Sequence, residues 1–253
     1  MKLKTFLTAA LAVVLLQANA QQATPDKIKT NKGDLTIQPI EHATLVLTWD
    51  NKTIYVDPTG GAEAFTGMSK PDVVLITDIH GDHMNPETLD AIDTEGATFV
   101  VPQAVADQLP EKYKVMAKVV GNGESLMVDG IPIKAVPMYN LPESADAKHV
   151  KGRGNGYILN LGNKNVYISG DTEGVPEVRG LKNIDVAFLS MNLPYTMDID
   201  QAASTTLDFK PKIIYPYHFR GQGGLADVEA FKKQVNAKNK NIEVRLKDWY
   251  PAQ

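Results

Sequence analysis

The sequence of 253 residues contains no cysteine. This absence excludes disulfide bonds, thiol nucleophiles, zinc ribbons and cysteine-ligated iron–sulfur clusters. Any metal that the chain binds must therefore be held by histidine and carboxylate side chains. Histidine is also scarce, with five in the whole chain, so the position of each one is informative.

The chain also lacks an excess of positive charge. It has 26 Lys and Arg against 30 Asp and Glu, for a formal net charge of −4. A broad basic face for nucleic acid is therefore not expected. With 43% hydrophobic and 22% charged residues, the composition is typical of a globular protein. After residue 20, no apolar run approaches the roughly 20 residues needed to span a bilayer, so no membrane span is expected there.

The N-terminus has the pattern of a secretory signal peptide. Lys2 and Lys4 form a short basic region. Residues 6–16 are apolar apart from Thr8, and small residues then lead up to Ala20. This apolar run is too short to cross a bilayer, so we expect cleavage after Ala20 and a periplasmic or secreted protein. An uncleaved N-terminal anchor is the alternative.

The rest of the chain is predicted to form one domain. Residues 21–34 are polar and are expected to be a loosely ordered leader. From residue 35 onward, short apolar runs alternate with turn residues, which indicates β-strands, and helical patterns lie between some of them. Residues 35–253 are therefore expected to form a single mixed α/β domain.

Two parts of this domain have similar sequences. Residues 51–56 (NKTIYV) align with residues 163–168 (NKNVYI). Residues 72–77 (DVVLIT) align with residues 185–190 (DVAFLS). An internal duplication would place two sheets face to face, with helices outside and a cleft where the strands end. Because the identities are few, chance similarity between two ordinary hairpins is the alternative.

The strongest functional signal is the segment TDIHGDH at residues 77–83, which directly follows an apolar run predicted to be a buried strand. Two Asp and two His fall within six residues, and their oxygen and nitrogen atoms are ligands for divalent metals. Asp78 and His80 are two residues apart, so they point the same way in an extended chain. A bend at the glycine that follows lets the second Asp–His pair face another position. One loop can thus serve two adjacent ions; the alternative is a polar loop without metal.

Three isolated residues extend this signal. His149, Asp171 and His218 each lie beside a predicted strand, and each alone would be interpreted as structural. Together with residues 77–83, their order resembles the metallo-β-lactamase superfamily. The motifs of that family are T-H-x-H-x-D-H, then a His, an Asp that often follows Gly, and a late His.

Residues 40–44 (IEHAT) and 55–58 (YVDP) are similar to one branch of this superfamily, the branch that contains ascorbate-6-phosphate lactonase. The resemblance covers about residues 35–246. It implies an α/β fold, a four-layer αββα sandwich with two related halves. It also implies two divalent metal ions, with zinc as the expected metal and manganese or iron as alternatives.

The resemblance further implies a set of metal ligands. One ion would be bound by Asp78, His80 and His149, the other by Asp82, His83 and His218, and Asp171 would bridge the two. Asp82 is also the candidate for moving a proton during the reaction. The sequence departs from the family at Asp78, where the family usually has a histidine. A carboxylate is a harder ligand than an imidazole, which favours manganese or iron at that site. The alternative is that the change weakens the site enough to leave one metal ion.

These residues predict an exported, metal-dependent hydrolase with a small-molecule substrate. A metal-bound water loses its proton near neutral pH, and the resulting hydroxide would attack an ester, a lactone or a phosphodiester. Two divalent ions carry four positive charges against the three negative charges of Asp78, Asp82 and Asp171, which would leave some attraction for an anionic substrate. The alternative is a non-catalytic metal- or ligand-binding protein on the same fold with a modified site, and Asp78 is the feature that favours it.

Further polar residues are expected around the metals. Asp57 is predicted to orient a ligating histidine. The candidates for substrate contact are His42, Asn140, Arg153, Tyr195 and Arg220. Residues 151–156 (KGRGNG) are rich in glycine but precede a predicted strand and lack the spacing of a dinucleotide-binding loop. They are expected to form a flexible loop; the functional alternative is that they border the metals and offer Lys151 and Arg153 to an anion.

Overall fold

The computed structural model describes residues 22–250, so the predicted signal peptide and its cleavage site after Ala20 lie outside the described residues. Within the described part, two seven-stranded sheets are present. The first sheet contains β1 (Asp26–Thr30), β2 (Gly33–Glu41), β3 (Thr44–Trp49), β4 (Lys52–Val56), β5 (Val73–Leu75), β6 (Thr98–Val101) and β7 (Ala117–Val119), in that spatial order. The second contains β8 (Ser125–Val128), β9 (Ile131–Met138), β10 (Gly154–Leu161), β11 (Lys164–Ile168), β12 (Val186–Ser190) and β13 (Ile213–Tyr217). A small hairpin of β14 (Arg220–Gly221) and β15 (Gly224–Leu225) follows, and β16 (Glu243–Val244) pairs with β13 at the edge of the second sheet.

Helices lie between the strands in both halves. They are α1 (Pro86–Ala91), α2 (Gln103–Gln108), α3 (Glu111–Lys114), α4 (Pro176–Arg179), α5 (Ile199–Phe209) and α6 (Val228–Lys238). The start of α1 follows the usual capping chemistry, because the side chain of Asn85 accepts a hydrogen bond from the backbone N–H of Thr88 at 2.7 Å. Across residues 22–250, no helix combines the length and the apolar character that a bilayer span requires.

Alternating side chains of the strands separate two apolar layers. Ile54 and Val56 of β4 join the core that contains residues of both sheets. Tyr55, between them, packs with residues of α1, α2 and α3 on the outer face of the first sheet. On the other side, Phe209 of α5 meets Tyr167 of β11 edge to face, with ring centroids 6.1 Å apart. Helices therefore cover both outer faces, which is the predicted αββα sandwich.

The parallel strands direct the loops of the site to one place. Strands β4 to β7 run parallel to one another, and so do β11, β12, β13 and β16. Loops that leave the carboxyl ends of parallel strands emerge at the same edge of a sheet, which is where open α/β sheets place their ligands. The loops after β5, β11 and β13 carry six of the seven predicted metal ligands, and the loop between β9 and β10 carries the seventh, His149.

The two halves repeat one another in detail. Asp72 precedes β5, and its Oδ2 accepts a hydrogen bond from the backbone N–H of Thr53 at 2.8 Å. Asp185 precedes β12, and its Oδ2 accepts a hydrogen bond from the backbone N–H of Asn165 at 2.9 Å. The aligned sequence segments therefore occupy equivalent structural positions, and the prediction of two related halves is confirmed.

The prediction of a loosely ordered leader over residues 21–34 is wrong for residues 26–34. Residues Asp26–Thr30 form β1, which pairs with β2 from Gly33 onward. Ile28 is the one apolar residue of β1 and is buried opposite Leu35. A strand with a single apolar side chain has almost no hydrophobic periodicity, so the sequence pattern did not indicate it.

Candidate metal centre

The loop after β5 is fixed by a buried aspartate on the neighbouring strand. Asp57, at the end of β4, accepts hydrogen bonds from the backbone N–H of Thr77 at 2.7 Å and from its hydroxyl at 2.6 Å. Farther along the loop, the N–H groups of His83 and Met84 both donate to the carbonyl of His80, at 2.9 and 2.8 Å. The chain therefore turns tightly after His80, and the two Asp–His pairs face different positions.

The first pair lies beside a histidine from the second half of the chain. Asp78, His80 and His149 each offer a ligand atom within 4.8 Å of the others. The distance from Nε2 of His149 to Oδ2 of Asp78 is 3.8 Å, and Nδ1 of His80 contacts the same oxygen. Asp78 is completely buried and His149 is 1% exposed. We refer to these three residues as the first ligand group.

The second pair lies beside the late histidine. Asp82, His83 and His218 also offer ligand atoms that lie within 4.8 Å of one another. Oδ2 of Asp82 is 3.3 Å from Nε2 of His218, and Oδ1 of Asp82 is 4.0 Å from Nε2 of His83. The Asp82 side chain is 47% exposed, so it connects this second ligand group to solvent.

Asp171 lies between the two groups. Its Oδ2 is 3.4 Å from Nε2 of His149 in the first group and 3.4 Å from Nε2 of His83 in the second. Its other oxygen, Oδ1, is 3.4 Å from Nε2 of His218. This is the arrangement expected of a carboxylate that bridges two ions.

Buried acceptors orient two of the imidazoles. Nδ1 of His83 lies 2.8 Å from Oδ2 of Asp57, and Nδ1 of His149 lies 3.1 Å from Oδ1 of Asn140. An Nδ1–H that donates to such an oxygen leaves the Nε2 lone pair free, which is the tautomer that binds a metal through Nε2. Both free Nε2 atoms face Asp171.

The donor atoms of the cluster fit a divalent cation. Both carboxylate oxygens of Asp78, Nε2 of His83, Nε2 of His149 and Oδ1 of Asp171 are buried and have no hydrogen-bond partner among the described residues. Buried polar atoms without a partner are costly and are rare in native structures. Nitrogen and oxygen donors without sulfur suit zinc, manganese or iron. A bound cation would satisfy these atoms, apart from Oδ1 of Asp78, which faces the guanidinium of Arg153.

The carboxylates of the cluster are also in the charge state that a metal ligand requires. Burial raises the pKa of Asp171, but the charges of His218 and His83 outweigh it and hold the pKa below its ordinary value. Burial likewise raises the pKa of Asp82, while a hydrogen bond with His218 and the charge of His83 outweigh it and lower the pKa. Burial raises the pKa of Asp78 as well, but the neighbouring imidazoles outweigh it, and the pKa is again lowered. Three ionised carboxylates therefore share one small volume.

Two of the residues predicted to contact substrate, Asn140 and Arg153, contact members of the first ligand group. Asn140 accepts from His149 through Oδ1 and donates through Nδ2 to the carbonyl of Tyr195 at 2.8 Å, so both ends of its amide are occupied. Nε of Arg153 lies 3.4 Å from Oδ1 of Asp78. Asn140 and Arg153 therefore lie directly behind metal-facing side chains.

The other three predicted substrate residues lie at the edge of the centre. The His42 ring meets the His218 ring at a centroid distance of 5.5 Å, and its Nδ1 is 3.4 Å from the hydroxyl of Tyr250. The guanidinium of Arg220 stacks on the Tyr250 ring at 4.2 Å. The Tyr195 ring is 5.8 Å from the ammonium group of Lys148, which is exposed. Arg220 thus lies against Tyr250, which contacts His42, and Lys148 lies against Tyr195, whose carbonyl accepts from Asn140.

Sequence reasoning missed Asn192, which is buried against the second ligand group. Its Nδ2 lies 3.3 Å from Nε2 of His218. The hydroxyl of Thr196 donates to Oδ1 of Asn192 and accepts from the backbone N–H of the same residue, so the amide can turn only its NH2 group toward the centre. A signal was available, because the Asn-Leu-Pro of residues 192–194 repeats that of residues 140–142.

Known proteins resemble this chain in sequence and in fold. The Beta-lactamase superfamily domain matches residues 36–218. A UPF0173 metal-dependent hydrolase from Pyrococcus abyssi is 31% identical over 208 residues, which are 77% of this chain and 90% of that protein. A crystal structure of a candidate metal-dependent hydrolase from Parabacteroides distasonis has a TM-score of 0.80 and 38% identity, covering 90% of this chain and all of the other. Igni18, a metallo hydrolase from Ignicoccus hospitalis, has a TM-score of 0.71 and 25% identity, covering 87% of this chain and 96% of the other.

The chain therefore belongs to the metallo-β-lactamase superfamily and, within it, to the metal-dependent hydrolases. The predicted superfamily, fold class and enzyme class are confirmed.

Proposed function

We propose that the protein hydrolyses a small ester-type substrate (a carboxylic ester, a lactone or a phosphodiester) at a centre of two divalent metal ions. The observation that carries this proposal is the position of Asp171, with one carboxylate within 3.4 Å of imidazole nitrogens of both ligand groups. Zinc is the expected metal, with manganese and iron as alternatives. Ions held by such a site supply Lewis acidity, which lowers the pKa of water and polarises the bond to be cleaved.

The side chains of the protein hold this centre in a fixed geometry. Asp171 sets the separation of the two ligand groups. Asp57 and Asn140 fix the tautomer and the ring orientation of His83 and His149. Preorganised groups of this kind cost no rearrangement when charge develops in the transition state.

Asp82 is proposed to move the proton. It is the carboxylate of the cluster that reaches solvent, with 47% of its side chain exposed. A carboxylate at the border between the centre and bulk water can accept a proton released at the centre and pass it to the leaving group or to solvent. Asp78 and Asp171, by contrast, are buried.

The charges at the rim favour an anionic substrate. Lys148 is exposed and directly precedes His149, while Arg220 is exposed and lies two residues after His218. Each ligand group therefore has a cation close in sequence to its histidine from the second half of the chain. Cations at the mouth of a cleft raise the local concentration of anions and speed their association.

The position of Asp78 argues against the alternative of a degraded, non-catalytic site. A site that has lost its function needs no buried carboxylate at a ligand position, because an unpaired buried charge is costly. Asp78 nevertheless lies in the first ligand group, with Oδ2 facing His80 and His149. Asp78 therefore still offers a metal-binding atom at the position where the family usually has a histidine.

Metal analysis and a substrate panel test the proposal. Protein purified without chelator should contain two ions per chain, and hydrolysis of p-nitrophenyl esters, lactones or bis-p-nitrophenyl phosphate should stop with chelator and return with added zinc. His83→Ala should abolish this activity, while Asp129→Asn, in the exposed turn between β8 and β9, should not change it. Metal binding without turnover of any class in the panel would instead support the binding role.

Export belongs to the same proposal and has a separate test. The N-terminal pattern predicts that the exported protein begins at Gln21. N-terminal sequencing of protein recovered from the periplasm or the medium measures this directly. Intact Met1 on cytoplasmic protein would overturn it.

A further inference from the structure

Asp78, where the sequence departs from the family motif, lies beside Arg153 from the second half of the chain. Asp78 is fully buried, so its carboxylate brings a negative charge that a histidine at this position does not. Nε of Arg153 is also buried without a hydrogen-bond partner, and it lies 3.4 Å from Oδ1 of Asp78. The opposite oxygen, Oδ2, faces His80 and His149. The two oxygens of Asp78 thus face different surroundings.

The glycine-rich segment explains how Arg153 reaches this position. Gly152 has a φ of 87°, a conformation that turns the chain just before Arg153 and that other residues rarely adopt. A Cβ on Gly154 would lie 2.9 Å from the carbonyl oxygen of Thr77, so only glycine lets β10 approach that carbonyl so closely. The backbone N–H of Asn155 then donates to the same carbonyl at 2.9 Å.

The start of β10 is therefore docked on the residue immediately before Asp78. The guanidinium is held from its other end by the carbonyl of Lys148, which accepts from Nη2 of Arg153. The arginine side chain is 22% exposed, so little of it remains for contact with a ligand in the cleft. The segment 151–156, expected to be a flexible loop or an anion-binding loop, instead places one cation on one buried carboxylate.

We propose that Arg153 is a positioning residue that makes Asp78 a working metal ligand. It holds Oδ1, so that Oδ2 alone is presented to the ion of the first ligand group. It also offsets the charge of the carboxylate, so that the Asp–Arg pair is neutral as a histidine is, yet offers a hard oxygen donor. This inference rests on the proposed role of Asp78 as a ligand.

Metal preference follows from the same pair. An oxygen ligand in place of an imidazole shifts a site away from zinc and toward manganese and iron. Without Arg153, the carboxylate is free to rotate or to bind through both oxygens, and its full charge adds to those of Asp82 and Asp171. Arg153 is therefore expected to control both the affinity and the selectivity of the first ligand group.

A double-mutant cycle between the two residues tests this inference. Wild type, Arg153→Gln, Asp78→His and the double variant are prepared as full-length mature protein loaded with zinc or manganese. Metal affinity is measured by competition with chromophoric chelators, and anomalous scattering locates the ion that is lost. In the wild-type background, Arg153→Gln should lower the affinity of the first ligand group for its ion by about 10–100-fold, the usual effect of removing a group that supports a ligand. In the Asp78→His background, the same change should alter affinity less than about threefold, because the imidazole has no Oδ1 to hold.

Two further variants keep the test sharp. Lys151→Gln removes a cation from the same segment that pairs with Glu143 and Glu177, and it should leave metal affinity unchanged. Arg153→Lys keeps the positive charge but lacks the planar guanidinium, so its metal affinity should lie between those of wild type and Arg153→Gln. If Arg153→Gln folds poorly, a reduced affinity in Arg153→Lys still tests the inference.

Equal losses from Arg153→Gln in both backgrounds, or no loss in either, would overturn the inference. If wild type binds both ions and the cycle behaves as expected but no substrate is hydrolysed, the proposed function fails while this inference stands. If wild type holds no ion at the first ligand group, both fail together.

Discussion

The buried carboxylate of Asp57 lies 2.8 Å from Nδ1 of His83, across 26 residues of sequence. The same carboxylate receives both the backbone N–H and the hydroxyl of Thr77. One side chain at the end of β4 therefore fixes the start of the metal-binding loop and, six residues later, the orientation of an imidazole. The shape of the loop and the tautomer of its histidine are coupled through Asp57.

The first prediction concerns this coupling. Asp57→Asn replaces an acceptor oxygen by an NH2 group that faces buried donors. We expect the free energy of unfolding to fall by about 1–3 kcal/mol and metal affinity to fall about 10–100-fold. Denaturant titration and chelator competition measure the two effects. Thr77→Val removes one donor to Asp57 and leaves the bond from Asp57 to His83, so it should lower stability while keeping most of the metal affinity. A large loss of affinity with unchanged stability would contradict the coupling.

The second prediction concerns Asp78. Asp78→Ala should lose the ion of the first ligand group and the hydrolytic activity together, because it removes a buried ligand atom. Asp78→His should keep the ion and shift preference toward zinc over manganese. Metal content and hydrolysis rate are measured for both variants with each ion. Two ions and full activity in Asp78→Ala would show that Asp78 is not a ligand.

The third prediction concerns Asn192. Its NH2 group is fixed toward the centre by Thr196, and an Nε2 of His218 that binds a metal no longer accepts a hydrogen bond. The amide donor is then left for an oxygen of the substrate, so Asn192→Ala should lower kcat by about 100-fold while metal content stays unchanged. Asn140→Ala is the matched comparison, and it should lose metal affinity, because Asn140 supports His149. An unchanged kcat in Asn192→Ala contradicts the expectation.

The fourth prediction concerns pH. Burial and the neighbouring His218 lower the pKa of His42 from 6.5 to about 4. Between these two values the unfolded chain binds a proton that the folded protein does not, so this contribution to stability is present above about pH 6.5 and is lost as the pH falls toward 4. In chelator-treated protein, the free energy of unfolding should fall less steeply over this range for His42→Gln than for wild type. Equal slopes would show that His42 does not contribute.

The fifth prediction concerns β1. Oδ2 of Asp26 accepts a hydrogen bond from the hydroxyl of Tyr215 at 2.8 Å and lies 3.2 Å from Nη1 of Arg245. Asp26→Ala should cost about 2 kcal/mol, or roughly 4–8 °C in Tm for a domain of this size. Asp34→Ala, on an exposed position of β2, should change Tm by less than 2 °C. Calorimetry distinguishes the two, and equal Tm values would show that β1 adds little.

Contiguous or periodic features of this chain could be predicted from sequence. Residues 77–83 place four ligand side chains in one stretch, and the apolar runs of β5 and β12 indicate buried strands directly. The isolated His149, Asp171 and His218 could be included only through the resemblance to a known family. The structure then places all of them within one cluster.

Features that depend on distant partners could not be predicted. Arg153 is one residue in a glycine-rich segment, and nothing near it in sequence indicates that it meets Asp78, 75 positions earlier. The repeated Asn-Leu-Pro of residues 192–194 points to Asn192, but its role depends on the geometry of Thr196 and His218. Strand β1 has one apolar residue, so its order depends on pairing with β2 rather than on its own pattern.

The equivalent aspartates Asp72 and Asp185 bear on the ancestry of the protein. A gene that encoded only one half would produce a sheet with one bare apolar face, and two copies would cover each other as a symmetric dimer. Both copies would then carry the same loop at the seam. Fusion into a single chain frees each loop to mutate alone, and here the loop after β5 retains metal ligands while the loop after β12 supplies Asn192. The division of labour across the cleft is thus what gene duplication followed by divergence would leave.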